Sequence, residues 1–182
     1  ALALEGNYSV SMYLLQNGKI DTMVIDRSFK LNHLENLFTE SENEEDRDNF
    51  IEEISNLRKS IMGSQKSYQE FKKKVEYLEK AILDVPKIPI SYLGQIHDIK
   101  ERLELIGIEL NGNQSLSKRY FATTLSLSSR IQYAHYSVIN NRQKPTGTAK
   151  EMYTMSKDIY ENEIRPSLNE VIQKIKQMEK EL

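Results

Sequence analysis

Along residues 8–14, apolar and polar side chains alternate: Tyr8, Val10, Met12 and Leu14 fall on one side, Ser9, Ser11 and Tyr13 on the other. A period of two predicts a half-buried β-strand. Asn17-Gly18 follows, the pair best able to supply the two positive φ angles of a type I′ turn. A second apolar run then returns through Ile20, Thr22, Met23, Val24 and Ile25 toward Phe29 and Leu31. Residues 1–31 therefore read as one β-hairpin. A lone two-stranded hairpin is marginal in water, so this one is expected either to pack on the helices or to be the end of an upstream β-domain, and its second strand, longer than the first, suggests neighbouring strands.

The period changes after residue 40. Ile54, Ile61, Tyr68, Val75 and Ile82 occupy one position of a heptad, and Phe50, Leu57, Phe71 and Leu78 occupy the other, with Ser64 interrupting the second set. Ser41 and Glu44 have the spacing of a capping box, and the acidic run that follows suits a helix N-terminus. The helix should persist to about Leu83, spanning ~60 Å if unbroken, with Gly63-Ser64 as its weak point and Pro86 and Pro89 as its stop. A second helix, with Ser91 as a candidate cap, carries Leu93, Ile96, Ile99, Leu103 and Ile106 and stops at Asn111-Gly112-Asn113. Residues 115–125 read as loop. A shorter helix over 126–141 presents Leu127, Ile131, Ala134 and Val138.

Thr146 and Thr148 can cap the last helix, whose seam reads Met152, Ile159, Ile164, Leu168, Val171, Ile175, Met178 and Leu182. Pro166 predicts a kink or break near residues 162–165. The fold class is mainly α: an antiparallel helical bundle of long heptad-patterned helices, preceded by one β-hairpin. Its domains are 1–31 and 42–182, and its two long seams are expected to pack antiparallel against each other.

Composition narrows the chemistry. Across 182 residues, 25 basic and 27 acidic side chains leave a net charge of −2, without the basic excess of a nucleic-acid binder. Lys72-Lys73-Lys74 is flanked by Glu70, Glu76 and Glu79 and reads as a solvated helix face. The lack of cysteine excludes disulfides, thiolate metal sites and a cysteine nucleophile. No apolar run approaches the ~18 residues of a membrane span, and Ala1-Leu2-Ala3-Leu4 lacks the form of a signal peptide, so any targeting signal is expected upstream.

Candidate sites are few. His33, His97 and His135 never take the i, i+4 spacing that sets two imidazoles on one helix face for a metal, and the acidic run 40–48 lacks the spaced oxygens of a calcium loop. His97 and Asp98 are neighbours whose side chains diverge on a helix. No phosphate loop, serine elbow or assignable carboxylate pair is present. Neither catalytic residues, a metal nor a cofactor is assigned. The one aromatic concentration is Tyr133, His135 and Tyr136, with Tyr120 and Phe121 nearby, a candidate surface for a glycan or peptide that packing alone also explains. Asn7-Tyr8-Ser9 fits the glycosylation pattern but lies in a predicted strand.

Three stretches carry a family likeness: Glu5-Gly6-Asn7-Tyr8-Ser9-Val10 with Asn17-Gly18, Glu109-Leu110-Asn111-Gly112-Asn113, and Lys144-Pro145-Thr146-Gly147-Thr148. In this order the chain resembles the C-terminal region of bacterial BNR-repeat, sortilin-like β-propeller proteins, often labelled glycosyl-hydrolase-like. Where that family often has Asp-Pro-Arg after the hairpin, this chain has Ser28-Phe29-Lys30-Leu31. The resemblance implies a periplasmic or secreted location and an upstream propeller holding any catalytic site. It also implies a helical tail without chemistry of its own. The expected function is a non-catalytic scaffold or association domain, whose partners are the upstream β-domain and further copies meeting through the helix seams, without nucleic acid or a membrane span. The alternatives are a ligand-binding bundle and a free-standing coiled-coil adaptor.

Overall fold

The computed structural model describes residues 3, 5–32, 44–85, 88–140 and 144–181. The chain divides into two compact units, Ala1–Glu44 and Glu45–Leu182. Ser41 and His33 lie outside the described residues, as do Pro86 and residues 40–43 of the acidic run, so the expected capping box does too.

The first unit is the hairpin. Strands β1 (Gly6–Gln16) and β2 (Lys19–Leu31) pair antiparallel around Asn17 and Gly18, whose φ angles of 52° and 76° are those of a type I′ turn. β2 is longer than β1, yet the ends still pair, Gly6 with Leu31 and Gln16 with Lys19. The surplus is taken up by register shifts near Ser11 and Met12, where Asp26 adopts a φ of 48°. Ser11 Oγ accepts the Asp26 backbone N–H at 3.1 Å and fixes the bulge. The extra length of β2 is therefore a pair of bulges and not an overhang awaiting a neighbour.

The second unit is helical, in keeping with the expected bundle. Helix α1 (Glu44–Asp84) runs without interruption through Gly63-Ser64, and every position of its Ile54, Ile61, Tyr68, Val75, Ile82 seam is buried. Helix α2 spans Ser91–Asn111, and its N-cap is Ile90, so Ser91 is its first residue and not its cap. α3 (Gln114–Ser117) is one turn capped by Asn113, and α4 (Leu127–Ile139) is capped by Ser126. α5 (Gly147–Ile159), capped by Thr146, passes through a π-turn at Tyr160–Ile164 into α6 (Arg165–Glu181).

Cross-helix contacts set the direction of each pass. Phe50 meets Tyr153 edge-on at 5.4 Å, Ser64 meets Tyr160 at 3.0 Å, and Lys74 meets Glu179 at 3.0 Å. These numbers rise together, so α1 and the 147–181 helix run parallel, contrary to the expected antiparallel pairing. The antiparallel neighbour of both is the middle pass: Lys100 pairs with Glu79, Gln65 with Asn111, Tyr92 with Glu181 and Arg102 with Glu170. α4 continues that pass, because Ser128 takes up Gln65 and His135 lies near Arg58. α2 and α4 thus act as one interrupted helix in an up-down-up bundle. Three passes make the first and last parallel, however long they are.

The π-turn explains how the last helix carries Pro166. The Arg165 N–H bonds to Tyr160 O, one residue further back than in an α-helix, and this wider turn keeps the proline ring off the preceding carbonyls. It also holds the seam. Ser156, Tyr160, Ile164 and Leu168 are buried in three successive steps of four. In a regular α-helix each such step drifts about 40°, so three would turn the stripe about 120° away from the core. The π-turn absorbs that drift and brings Tyr160 to the seam, where Ile159 was expected.

Gly107 marks a second close approach, since a Cβ there would come within 2.9 Å of Tyr68 Cζ. Gly107→Ala should therefore destabilise the fold by about 1–3 kcal/mol in urea unfolding, by overpacking. Gly63→Ala, with open space around it, should stabilise by about 0.5–1 kcal/mol through helix propensity alone. Equal signs for the two substitutions would contradict this packing.

Candidate functional site

The aromatic surface expected from sequence lies on α4. Leu127, Ile131, Ala134 and Val138 fill its inner face, which turns Tyr133 and Tyr136 outward, at 52% and 47% exposure. His135 lies between the two faces, half-buried, its ring tilted against Tyr136 at 5.8 Å. Its Nδ1 is enclosed without a hydrogen-bond partner among the described residues. Burial, and next the nearby Arg58 cation, hold the imidazole below the usual histidine range. The three residues share one helix but do not converge on a hollow: two tyrosine rings face solvent and the imidazole points into packing.

A concave site lies elsewhere. A cleft of about 740 Å³ opens between α1 and α2, floored by Tyr68 over Gly107 and rimmed by Lys72, Glu76, Lys100 and Glu104. It ends at Asn111 and residues 112–115, where α2 stops. Its rim alternates in charge, so it offers neither an anion nor a cation a field of one sign. Sequence reading overlooked this cleft. The available signal was Gly107 within the apolar run Leu105-Ile106-Gly107-Ile108, since a glycine inside a helix pattern marks a close approach. A smaller hollow between α2 and α6 is lined in part by Arg102 and Lys174, both of which pair with Glu170, whose carboxyl is held below its usual range by Lys174 and then Arg102.

At the level of the α2 stop the bundle carries a polar layer. Gln65 Nε2 donates to Asn111 Oδ1 at 2.9 Å and to Ser128 Oγ at 2.6 Å, and Ser128 Oγ donates to Leu110 O at 2.6 Å. Tyr160 donates its hydroxyl to Ser60 O at 3.2 Å, leaving Ser64 to donate to the tyrosine oxygen at 3.0 Å. Ser64, the interruption in the α1 seam, is thus the partner of a buried phenol. These bonds satisfy one another and join helices. They present no reactive group to solvent.

The chain matches no protein-family model, no curated protein and no solved structure.

Among the described residues no group of three His, Asp or Glu side chains lies close enough to hold a metal ion, and no helix is long and apolar enough to cross a membrane. His97 and Asp98 are exposed on α2. Lys72 lies over the Tyr68 ring and Lys74 bonds Glu179, so two of the three clustered lysines serve the bundle surface. Asn7 is exposed in β1.

His135 makes stability depend on pH. Its folded value lies below the ordinary value of about 6.5, so the unfolded chain binds the proton more readily. Its contribution is complete above pH 6.5 and is lost as pH falls through the lower folded value. Thermal melts from pH 7.5 to 5 should show a steeper loss for the native chain than for His135→Gln. Parallel curves would remove His135 as the cause.

Proposed function

We propose that this chain is a non-catalytic scaffold and association domain of a larger extracytoplasmic BNR-repeat, sortilin-like protein, with its hairpin as the joining element and its bundle as the rigid part. One observation carries this reading. The hairpin leaves Val10, Met12, Tyr13, Leu14, Leu15, Ile20, Met23, Ile25 and Phe29 exposed, on a sheet of only two strands. Both outer edges therefore carry backbone donors and acceptors with no strand partner among the described residues, which is the template for adding a strand.

The helical unit supports the same division of labour. Ser64 and Tyr160 bond each other across helices, as do Gln65 and Ser128, and the seams bury Ile54, Leu110, Ile164, Val171 and Ile175 almost completely. At about 1.5–3 kcal/mol for each such side chain, these contacts hold the helices with no contribution from a ligand. A β-structure of the parent covers the hairpin in this reading, and any hydrolase chemistry belongs to the propeller.

Hydrogen exchange tests the proposal. Outer-edge amides of residues 6–31 should be protected in the parent protein and should exchange rapidly in the 1–182 chain. Joint replacement of Val10, Met12 and Phe29 by serine should abolish that protection while leaving the bundle's melting temperature unchanged. Rapid exchange in both proteins would overturn the reading.

A further inference from the structure

The middle pass of the bundle is interrupted by residues 112–126, and this insertion concentrates side chains that a soluble surface seldom displays together. Leu116, Tyr120, Phe121 and Leu125 are 41%, 99%, 60% and 54% exposed within ten residues of chain. Lys118 and Arg119 stand among them, both exposed. Along the chain the charge is one-sided: residues 110–150 contain six of the 25 basic side chains and none of the 27 acidic ones, and Lys118 and Arg119 fall within the insertion itself. A net charge near zero for the whole sequence conceals this segregation.

The backbone of the insertion is built to hold that display. The Phe121 N–H bonds to Leu116 O at 3.2 Å and the Tyr120 N–H to Ser117 O at 3.0 Å, the paired bonds of a Schellman motif at the end of α3. The position between helix and exit normally belongs to glycine, because it needs a left-handed backbone. Here it is Tyr120, at a φ of 60°. A bulky residue held in that strained conformation with its ring wholly in solvent gains nothing from packing, so the strain points to a use for the exposed ring. Arg130 Nε donates to Leu125 O at 3.0 Å and ties the far end of the insertion to α4.

From this we infer that the 112–126 insertion docks the bundle on an anionic lipid surface, with Leu116, Tyr120, Phe121 and Leu125 entering the interface and Lys118 and Arg119 on lipid phosphates. Tyrosine is suited to the headgroup level, where its ring is apolar and its hydroxyl stays wet, while flanking cations add attraction to acidic lipids. The insertion itself carries no carboxylate, so the segment that enters the interface brings no group an acidic surface repels; Glu76 and Glu104 lie in the cleft at its 112–115 end. A single-stranded nucleic acid fits less well. It needs successive aromatic platforms along a basic groove, and two of the four exposed anchors are leucines.

Co-sedimentation of the full 1–182 chain with vesicles containing about one-third phosphatidylglycerol tests the inference, with pure phosphatidylcholine as control. The chain should pellet with the anionic vesicles, less with the neutral ones, and release as salt rises. Tyr120→Gly combined with Phe121→Ser should lower partitioning roughly tenfold, since the two aromatic members of the four apolar anchors are lost. Tyr120→Gly alone should weaken binding without lowering the melting temperature, because glycine relieves the left-handed strain. No pelleting overturns the inference, as does pelleting that the double variant leaves intact. Retention on heparin or single-stranded DNA that the same variant abolishes, without vesicle binding, assigns the patch to a different polyanion and overturns it equally.

Discussion

The bundle depends on one level of its length, where Tyr160 reaches across from the last helix to Ser60 and Ser64 of the first. Three helical passes can share one core only if their inward faces stay in step over many turns, and none of these three keeps an unbroken seam. α1 has a serine in its seam, the middle pass has its insertion, and the last helix has a π-turn. All three irregularities meet at the same height. Gln65, one residue beyond Ser64, bonds both Asn111 at the end of α2 and Ser128 at the start of α4. A buried hydroxyl left unpaired costs roughly 1–3 kcal/mol, so the buried Tyr160 disfavours any register that displaces Ser60 or Ser64, and the partly exposed Gln65 bonds add a smaller preference for the same register. The hydrophobic seams drive association of the helices, and the polar layer selects which association.

Surface charge adds little to that selection. Lys74–Glu179, Lys100–Glu79 and the Arg102–Glu170–Lys174 group cross between helices, but their side chains are about a third to a half exposed, where an ion pair contributes about 0–1 kcal/mol. They agree with the direction of each pass without determining it. The determinant is the count of passes, and that count rests on α2 and α4 being collinear.

Much of the fold was legible because periodicity is a local property. The Asn17-Gly18 turn, the α1 seam from Phe50 to Ile82, the Asn111-Gly112-Asn113 stop and the Thr146 cap are each written within a few residues and recur in the structure as read. What was not legible required comparing segments far apart. Two short helices count as one pass only through the contact of Ser128 with Leu110 and Gln65, so the parallel course of the long helices could not be read from either. The π-turn had a local signal, three buried steps of four before Leu168. That signal was hidden because serine and tyrosine occupy two of the positions and do not look like core. In the hairpin the same limit appears: a longer second strand looks like a missing neighbour until Ser11 is seen to clasp a bulge at Asp26.

The candidate site teaches a related lesson about aromatic clusters. Tyr133, His135 and Tyr136 are close in sequence, but a helix keeps residues three apart on one face and turns the residue two along away from it, so the tyrosines share the outer side while His135 turns toward the inward face that α4 needs for Ile131, Ala134 and Val138. Proximity in sequence therefore became an exposed surface and not a concave one. A pocket requires walls from more than one element, as the cleft between α1 and α2 has, and there the rim charges alternate and the floor is a tyrosine wedged over a glycine. Phe50, Tyr68, Phe71 and Tyr160 go into the core of the bundle, whereas Tyr120, Phe121, Tyr133 and Tyr136 face outward, so the aromatic rings that sequence proximity groups together are the ones that no second element encloses.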